Sequence, residues 1–237
     1  MQVDPTAGQR CPLDTYLEWD VATWAQALPF WQRHLARALD GARVLEIGAR
    51  HGGLSLWLAH QGAVVVASDL GGPSDTARSL HDRHPSPTAI EYLDLDATRL
   101  DVENEFDVVV FKSVLGGIGG AGGADAQRAT LANLHRALKP GGQLLFAENL
   151  VASAPVAYLR RRFVQWGARW QYVTLPDLRA MLSPFESATL STAGTIGLLG
   201  RSERQRAALG AIDRRVLDHI GGDRWRYVVF GVATKGR

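Results

Sequence analysis

Short apolar runs alternate with segments of helical periodicity through the first two thirds of this chain, and this alternation restricts the fold most. Val108-Val109-Val110 is typical: an all-apolar strand of this kind suits a parallel sheet that is covered on both faces. Strands joined by helices imply right-handed crossovers and a doubly wound α/β sheet. The pattern predicts strands at Arg43–Ile47, Ala63–Ser68, Ile90–Leu93, Phe106–Phe111 and Gln143–Ala147, and helices at Leu54–His60, Ser74–Arg83 and Asp125–Leu138.

The two ends of the chain differ from this central part. Residues 13–39 have apolar residues at helical spacing, among them Trp24 and Trp31, and we expect Pro29 to break the run. The last third predicts helices at 153–170, Leu175–Leu182 and Ser202–His219, and strands within Ala188–Leu199 and Arg226–Thr234. A Gly-rich patch, Gly116–Gly123, stands before the predicted helix at Asp125.

The cysteine content and the apolar segments bear on disulfides, metal binding and cellular location. The chain has one cysteine, Cys11, and no Cys/His cluster with metal-ligand spacing, so we expect neither an intramolecular disulfide nor a metal site. A reducing, cytoplasmic location follows as an expectation. No basic stretch followed by an apolar run stands at the N-terminus, and no segment approaches about 20 apolar residues, so neither a signal peptide nor membrane binding is expected.

The formal net charge of +2 conceals an asymmetry. Residues 1–157 carry 12 basic and 18 acidic side chains, whereas residues 158–237 carry 14 basic and 6 acidic ones. A basic third of this kind can bind an anion or decorate a solvated face.

A glycine-rich turn follows the first predicted strand in the segment Glu46-Ile47-Gly48-Ala49-Arg50-His51-Gly52-Gly53. Glycine lets the backbone turn sharply and approach a ligand, and the next helix presents free N–H groups. A dinucleotide-binding fingerprint would need glycine at Arg50. The acidic Glu46, which is still on the strand, suits the ammonium group of an amino-acid tail. A nicotinamide oxidoreductase is therefore the weaker alternative.

At this turn the chain resembles the class I, Rossmann-like S-adenosylmethionine-dependent methyltransferases, whose first motif runs Asp/Glu-x-Gly-x-Gly-x-Gly. Four further signals agree in order and spacing. They are Asp69 at the end of the second strand, Asp96-Ala97-Thr98 after the third, Phe106-Asp107-Val108-Val109-Val110 in the fourth, and Leu138-Lys139-Pro140-Gly141-Gly142 before the fifth. The resemblance covers residues 40–149 well and continues more loosely to Trp225–Ala233.

The resemblance implies a mostly parallel seven-stranded sheet with an antiparallel C-terminal strand and helices on both faces. It implies a single domain made of an N-terminal helical cap (1–39), a cofactor-binding core (40–149) and acceptor-side elements with the last strands (150–237). S-adenosylmethionine would be the cofactor and S-adenosylhomocysteine the product. We expect Asp69 to bind ribose hydroxyls and Asp96 to contact the adenine. The full set of expected cofactor residues is Glu46, Gly48, Ala49, Arg50, Gly52, Asp69, Leu70, Asp96, Ala97, Lys112 and Ser113.

The acceptor is expected above the ends of the fourth and fifth strands. Glu148 and His51 are the candidate bases, although an ordinary strand-end carboxylate explains Glu148 equally well. Lys112 either neutralises acceptor charge or is solvated at the surface. Candidate acceptor residues are Asn149, Arg160, Arg161, Trp24 and Trp166, although burial of a helix against the core is the better explanation of Trp24. A small-molecule acceptor, anionic if the arginines bind it, is favoured, with O-methylation slightly ahead of N- or C-methylation.

Two alternatives within the same fold stay open. A nucleic-acid methyltransferase would use the basic last third on phosphates, but the Asn/Asp-Pro-Pro-Tyr-like motif of amino-methylating enzymes is replaced by Lys112-Ser113-Val114-Leu115. A non-catalytic regulator would bind the cofactor and transfer nothing. The oligomeric state is left open by the sequence.

Overall fold

The computed structural model describes residues 12–155, 157–158 and 170–237. Seven strands form one sheet in the order β3-β2-β1-β4-β5-β7-β6. The strands are β1 (Arg43–Ile47), β2 (Val64–Asp69), β3 (Ile90–Asp94), β4 (Phe106–Lys112), β5 (Leu138–Asn149), β6 (Ser187–Ala193) and β7 (Val228–Thr234). The first five pair in parallel, and β7 is antiparallel to both β5 and β6. The predicted doubly wound α/β fold with an antiparallel last strand is confirmed.

Eight α-helices are described: α1 (Leu13–Leu17), α2 (Val21–Trp24), α3 (Ala27–His34), α4 (Gly53–His60), α5 (Asp75–Arg83), α6 (Leu115–Ala137), α7 (Leu175–Met181) and α8 (Glu203–Ile212). Short 3-10 turns lie at Ala97–Arg99, Gly197–Leu199 and Asp223–Trp225, and a π-helical turn at Asp213–Leu217 follows α8. Among the described helices, none is long and apolar enough to cross a membrane.

Alternate residues of each central strand supply the two halves of the core. Val108 and Val110 face the N-terminal helices and α4, whereas Val109 and Phe111 face α6 and α7. This is the expected result for a sheet covered on both faces, because successive side chains of a strand point in opposite directions.

The first half of the core is centred on Trp31 of α3, which is completely buried. Its indole N–H donates a hydrogen bond to the carbonyl oxygen of Phe146 on β5 at 3.3 Å, and its ring lies 6.1 Å from that of Trp57 on α4. The N-terminal helices are therefore part of the core.

Two local expectations were wrong. Pro29 does not end the N-terminal helix; it lies in the first turn of α3, where its missing N–H would have no helical partner. The breaks lie instead around Glu18 and Asp20, both at positive φ. The Gly-rich patch belongs to α6, which begins at Leu115 and is kinked at Gly123.

We expect Trp31→Ala to lower the free energy of unfolding by about 3–5 kcal/mol, because it leaves a large cavity and removes a buried hydrogen bond. Urea unfolding monitored by circular dichroism measures the change. Ile220→Ala, which truncates an exposed side chain, is the matched control and should stay within about 0.5 kcal/mol of the unsubstituted protein. An equally small effect at Trp31 would show that α3 is not part of the cooperative core.

Candidate functional site

A cavity of about 860 Å³ opens at the carboxyl ends of β1, β2 and β4. The winding of the sheet reverses between β1 and β4, which is where ligands of such sheets bind. Its walls come from the strand ends, the N-terminal helices, α6 and α8. The lining residues are Tyr16, Glu18, Trp19, Glu46, Gly48, Ala49, Arg50, Gly53, Leu54, Asp69, Lys112, Ser113, Val114, Gly117, Trp170 and Arg206.

The turn between β1 and α4 forms one wall. Gly48 has φ 73°, and a Cβ there would lie 2.6 Å from Cγ2 of Val114, so only glycine fits without a shift. Arg50 stands where the family motif has its middle glycine and adopts φ 48°. Its backbone N–H donates to Asp69 Oδ2 at 2.8 Å, and the Ser74 hydroxyl donates to its carbonyl at 2.9 Å. These bonds hold an arginine in a left-handed conformation.

Two carboxylates differ sharply in exposure. Glu46 is buried at the end of β1 and accepts a hydrogen bond from the Ser55 hydroxyl of α4. Burial raises the pKa of Glu46 to about 7, opposed by the Ser55 hydrogen bond and by the positive charge of Lys112. Asp69 is more open and accepts the Leu70 N–H at 2.9 Å as well as that of Arg50. The wall thus combines a buried acid whose pKa is raised with an accessible one.

The remaining expected cofactor residues, Gly52, Leu70, Asp96 and Ala97, do not line the cavity. Leu70 is exposed just beyond β2, and Gly52 is the left-handed cap of α4. Asp96 caps the 3-10 turn at Ala97, where its carboxylate accepts the Thr98 hydroxyl at 2.7 Å and the Thr98 N–H at 2.9 Å. These bonds lower the pKa of Asp96.

The ends of β4 and β5 carry Lys112, Ser113 and Asn149. Lys112 and Ser113 line the cavity, and Ser113 has φ 59°. The Asn149 side chain is buried and donates to Ser113 Oγ at 2.8 Å, so it supports the lining from behind.

The position of Glu148 does not support its expected role as a base. It is fully buried behind the lining, where Oε2 accepts the N–H groups of Val114 and Leu115 at 2.8 and 2.7 Å and Oε1 accepts that of Asn149 at 2.8 Å. A carboxylate at this place satisfies the free donors of the first turn of α6 and suits its dipole. Glu148 anchors α6 to the sheet.

His51 is also placed differently from expectation, whereas Trp24 lies in the core, as its helical spacing favoured. His51 Nδ1 lies 3.1 Å from Glu18 Oε2 and outside the lining, so this pair joins the first turn to the N-terminal helices. Trp24 is completely buried in the core, and the neighbouring Trp19 lines the cavity.

Several lining residues were not among the expected site residues. Tyr16, Glu18 and Trp19 come from the N-terminal segment, Trp170 lies after the residues left undescribed, and Arg206 projects from α8. Gly116 lets Trp170 pack closely against the first turn of α6, because a Cβ there would overlap the indole. The candidates Arg160, Arg161 and Trp166 lie outside the described residues.

No group of three or more potential metal ligands occurs within residues 12–155, 157–158 and 170–237. The donors at the cavity are instead the side chains suited to an organic ligand with hydroxyl and amino groups.

Comparison with known proteins decides the family. The methyltransferase domain family matches residues 45–146. A ubiquinone biosynthesis O-methyltransferase of Pseudomonas fluorescens is 30% identical over 172 residues, which are 68% of this chain and 69% of that protein. This chain belongs to the S-adenosylmethionine-dependent methyltransferase family.

The matches to two other relatives cover less than two thirds of those proteins. The highly reducing polyketide synthase sorA of Penicillium rubens is 30% identical over 206 residues, 75% of this chain but 7% of the synthase. The ubiquinone biosynthesis O-methyltransferase of Pseudomonas aeruginosa is 30% identical over 154 residues, and the match spans 61% of its length.

Solved structures share the fold. Phosphoethanolamine N-methyltransferase 2 of Haemonchus contortus, in complex with S-adenosyl-L-methionine, superposes with a TM-score of 0.63 at 20% identity, over 95% of this chain and 57% of that one. The 1,6-didemethyltoxoflavin-N1-methyltransferase of Burkholderia thailandensis gives 0.59 at 19% identity, over 93% and 81%.

The buried acid at the end of β1 predicts a specific pH dependence. The Glu46 carboxyl has a pKa of about 7 in the folded protein and near 4.5 in the unfolded chain, so the folded protein binds its proton more tightly. Its contribution to the free energy of unfolding is therefore greatest below pH 4.5 and falls as the pH rises to 7. Between pH 5 and 8, the unsubstituted protein should therefore lose about 2 kcal/mol more unfolding free energy than Glu46→Gln.

Urea unfolding at the two pH values measures this difference, with Glu91→Gln as the control at an exposed glutamate of β3. Other buried acids titrate alike in all three proteins and cancel. If Glu46→Gln keeps the pH dependence of the unsubstituted protein, Glu46 is ionised in the fold and its assigned environment is wrong.

Proposed function

We propose that this chain catalyses methyl transfer from S-adenosylmethionine to a hydroxyl oxygen of a small molecule bound in the cavity. The observation that carries the proposal is the composition of that cavity. One wall consists of acidic and glycine residues from β1, from the turn between β1 and α4, and from β2. The other elements around the cavity contribute Trp19, Trp170, Lys112 and Arg206. A volume of about 860 Å³ is in the range of known ligand pockets.

The carboxylates and backbone groups of the cavity fit S-adenosylmethionine. Asp69 already accepts two backbone N–H groups and has further lone pairs for ribose hydroxyls. Glu46, with the backbone around Gly48 and Ala49, would hold the amino-acid tail. Leu70, Asp96 and Ala97 follow the next strand ends, and we assign them to the adenine side, with Gly52 supporting the turn. Arg50 and Ser113 would lie beside the tail.

The cofactor supplies an activated methyl group on a sulfonium. The residues of this chain align the acceptor with it and exclude water, which is the main contribution of a protein to a direct displacement. We propose that residues 1–39 cap the site, that 40–149 hold the cofactor and that 150–237 complete the acceptor side, within one cytoplasmic domain.

O-methylation is favoured because the Pseudomonas relatives are O-methyltransferases by name. The nucleic-acid alternative loses weight because Arg206, a member of the basic last third, lines the small-molecule cavity and pairs with Glu203 at 2.6 Å. A non-catalytic regulator would bind the cofactor and leave every acceptor unmethylated.

Calorimetry with S-adenosylhomocysteine tests the cofactor site. Asp69→Asn should weaken binding about 10- to 100-fold, because a hydrogen bond to a charged acceptor is lost. Asp101→Asn, at an exposed aspartate remote from the cavity, should bind as the unsubstituted protein does. Absence of binding in the unsubstituted protein, or equal affinity in all three, would contradict the proposal.

A further inference from the structure

Lys112 ends β4 on the cavity side and is held in an aromatic enclosure. Its ammonium nitrogen lies 5.2 Å from the ring centroid of Trp19 and 5.1 Å from that of Trp24. It donates one hydrogen bond, to the carbonyl oxygen of Leu17 at 3.3 Å, among the residues that the structure describes. An ammonium has three N–H donors, so this geometry leaves donor capacity for a ligand.

The charges around Lys112 come from three directions. Glu18 and Asp20 of the N-terminal segment and Glu46 of β1 favour its charged form, and Arg50 of the first turn opposes it. Burial outweighs all of these and lowers the pKa of Lys112 to about 8. Near neutral pH, part of the Lys112 population is therefore in the neutral amine form, which can accept a proton.

We propose that Lys112 is the catalytic base and that the acceptor is a phenol or enol, whose hydroxyl lies against Lys112 and whose flat ring packs against the tryptophans of the cavity. This inference rests on the proposed function and adds a substrate class and a base to it. Trp19 and Trp170 both line the cavity, and flat aromatic surfaces favour planar ligands.

The acidity of the hydroxyl supports this choice of acceptor. An amine that titrates at about 8 is too weak a base for an alkyl alcohol, but it lies within a few units of a phenol, which titrates near 10. Catalysis by a base is most efficient when its pKa is near the working pH. An acidic hydroxyl on a conjugated ring is therefore the acceptor best matched to Lys112.

The step balances without another reactant. The neutral Lys112 amine accepts the hydroxyl proton as the acceptor oxygen forms its bond to the methyl carbon. The carbon–sulfur bond breaks, and its electron pair stays on sulfur. Lys112 then carries the proton as an ammonium and releases it to solvent through the cavity.

The other candidates are poorer bases by position. Three hydrogen bonds from backbone N–H groups hold Glu148 behind the wall, and His51 is engaged by Glu18 outside the lining. Arg206 is always charged and pairs with Glu203. Lys112 alone among these four combines access to the cavity with a titration near neutrality.

The chain has three lysines, Lys112, Lys139 and Lys235, which makes a direct test practical. Labelling with [13Cε]lysine gives three NMR signals, and the loss of one in Lys112→Met assigns it. Should that variant not fold, Lys139→Met and Lys235→Met assign it by elimination. The Lys112 signal should titrate at about pH 8. Titration at the ordinary value near 10.4 would overturn the proposal.

The same sample tests the acceptor class with 3,4-dihydroxybenzoate, in the presence of S-adenosylhomocysteine. The Lys112 signal should shift when 3,4-dihydroxybenzoate is added. It should not shift with 3,4-dimethoxybenzoate, which lacks the hydroxyls. Lys112→Met should bind the dihydroxy compound at least about 10-fold more weakly, and Lys139→Met, remote from the cavity, should bind it normally. A Lys112 signal unmoved by saturating dihydroxybenzoate would contradict the inference.

Calorimetry with S-adenosylhomocysteine on these samples distinguishes failure of the Lys112 proposal from failure of the proposed function. Normal affinity with an unresponsive or ordinarily titrating Lys112 overturns the base and the phenol only. Failure of the unsubstituted protein to bind S-adenosylhomocysteine overturns the proposed function itself.

Discussion

The pairing of β1 with β4 is the contact on which the site depends. Glu46 pairs with Val110 and Ile47 with Phe111, so the two strands end side by side while their following segments diverge to opposite faces of the sheet. The turn after β1 leads to α4, and the segment after β4 leads to α6. The cavity lies between these two diverging segments, and Glu46 and Lys112 both line it.

The burial of Glu46 and Lys112 at the cavity costs electrostatic free energy. Glu46 and Lys112 are both removed from water, and burial shifts the pKa of each toward its neutral form, the acid upward and the amine downward. Their mutual attraction opposes both shifts and offsets part of the cost. Three non-glycine lining residues, Glu18, Arg50 and Ser113, also have positive φ. Strain and buried charge concentrated in one place are typical of a site maintained for function.

The fold could be predicted from the sequence because its determinants are local. All-apolar strands such as Val108-Val109-Val110 indicate a sheet covered on both faces, and the glycines around Gly48 indicate a sharp turn. The Gly-rich start of α6 was harder to predict, because glycine disfavours a helix. The close contacts of Gly116 with Trp170 and of Gly119 with Gln127 show why glycine is used there. Pro29 misled because its position within a helix, and not its presence, decides whether the helix ends.

The site was predictable to the extent that it follows strand ends. Glu46, Asp69, Lys112 and Ser113 line the cavity because parallel strands end at one edge. The contributions of Glu18, Trp19 and Arg206 depend on how distant segments pack over that edge, which no spacing in the sequence encodes. Glu148 illustrates the opposite error: a strand-end carboxylate looks catalytic until its hydrogen bonds to the start of α6 are seen.

A crystal structure of the protein with S-adenosylhomocysteine and 3,4-dihydroxybenzoate tests the central claim, that one cavity brings cofactor and acceptor together over β1 and β4. The account predicts the ribose hydroxyls at Asp69, the amino-acid tail over Gly48 beside Glu46, and a ring hydroxyl within hydrogen-bond distance of Lys112. Density for the cofactor elsewhere, or a ring whose hydroxyls point away from Lys112, would contradict it.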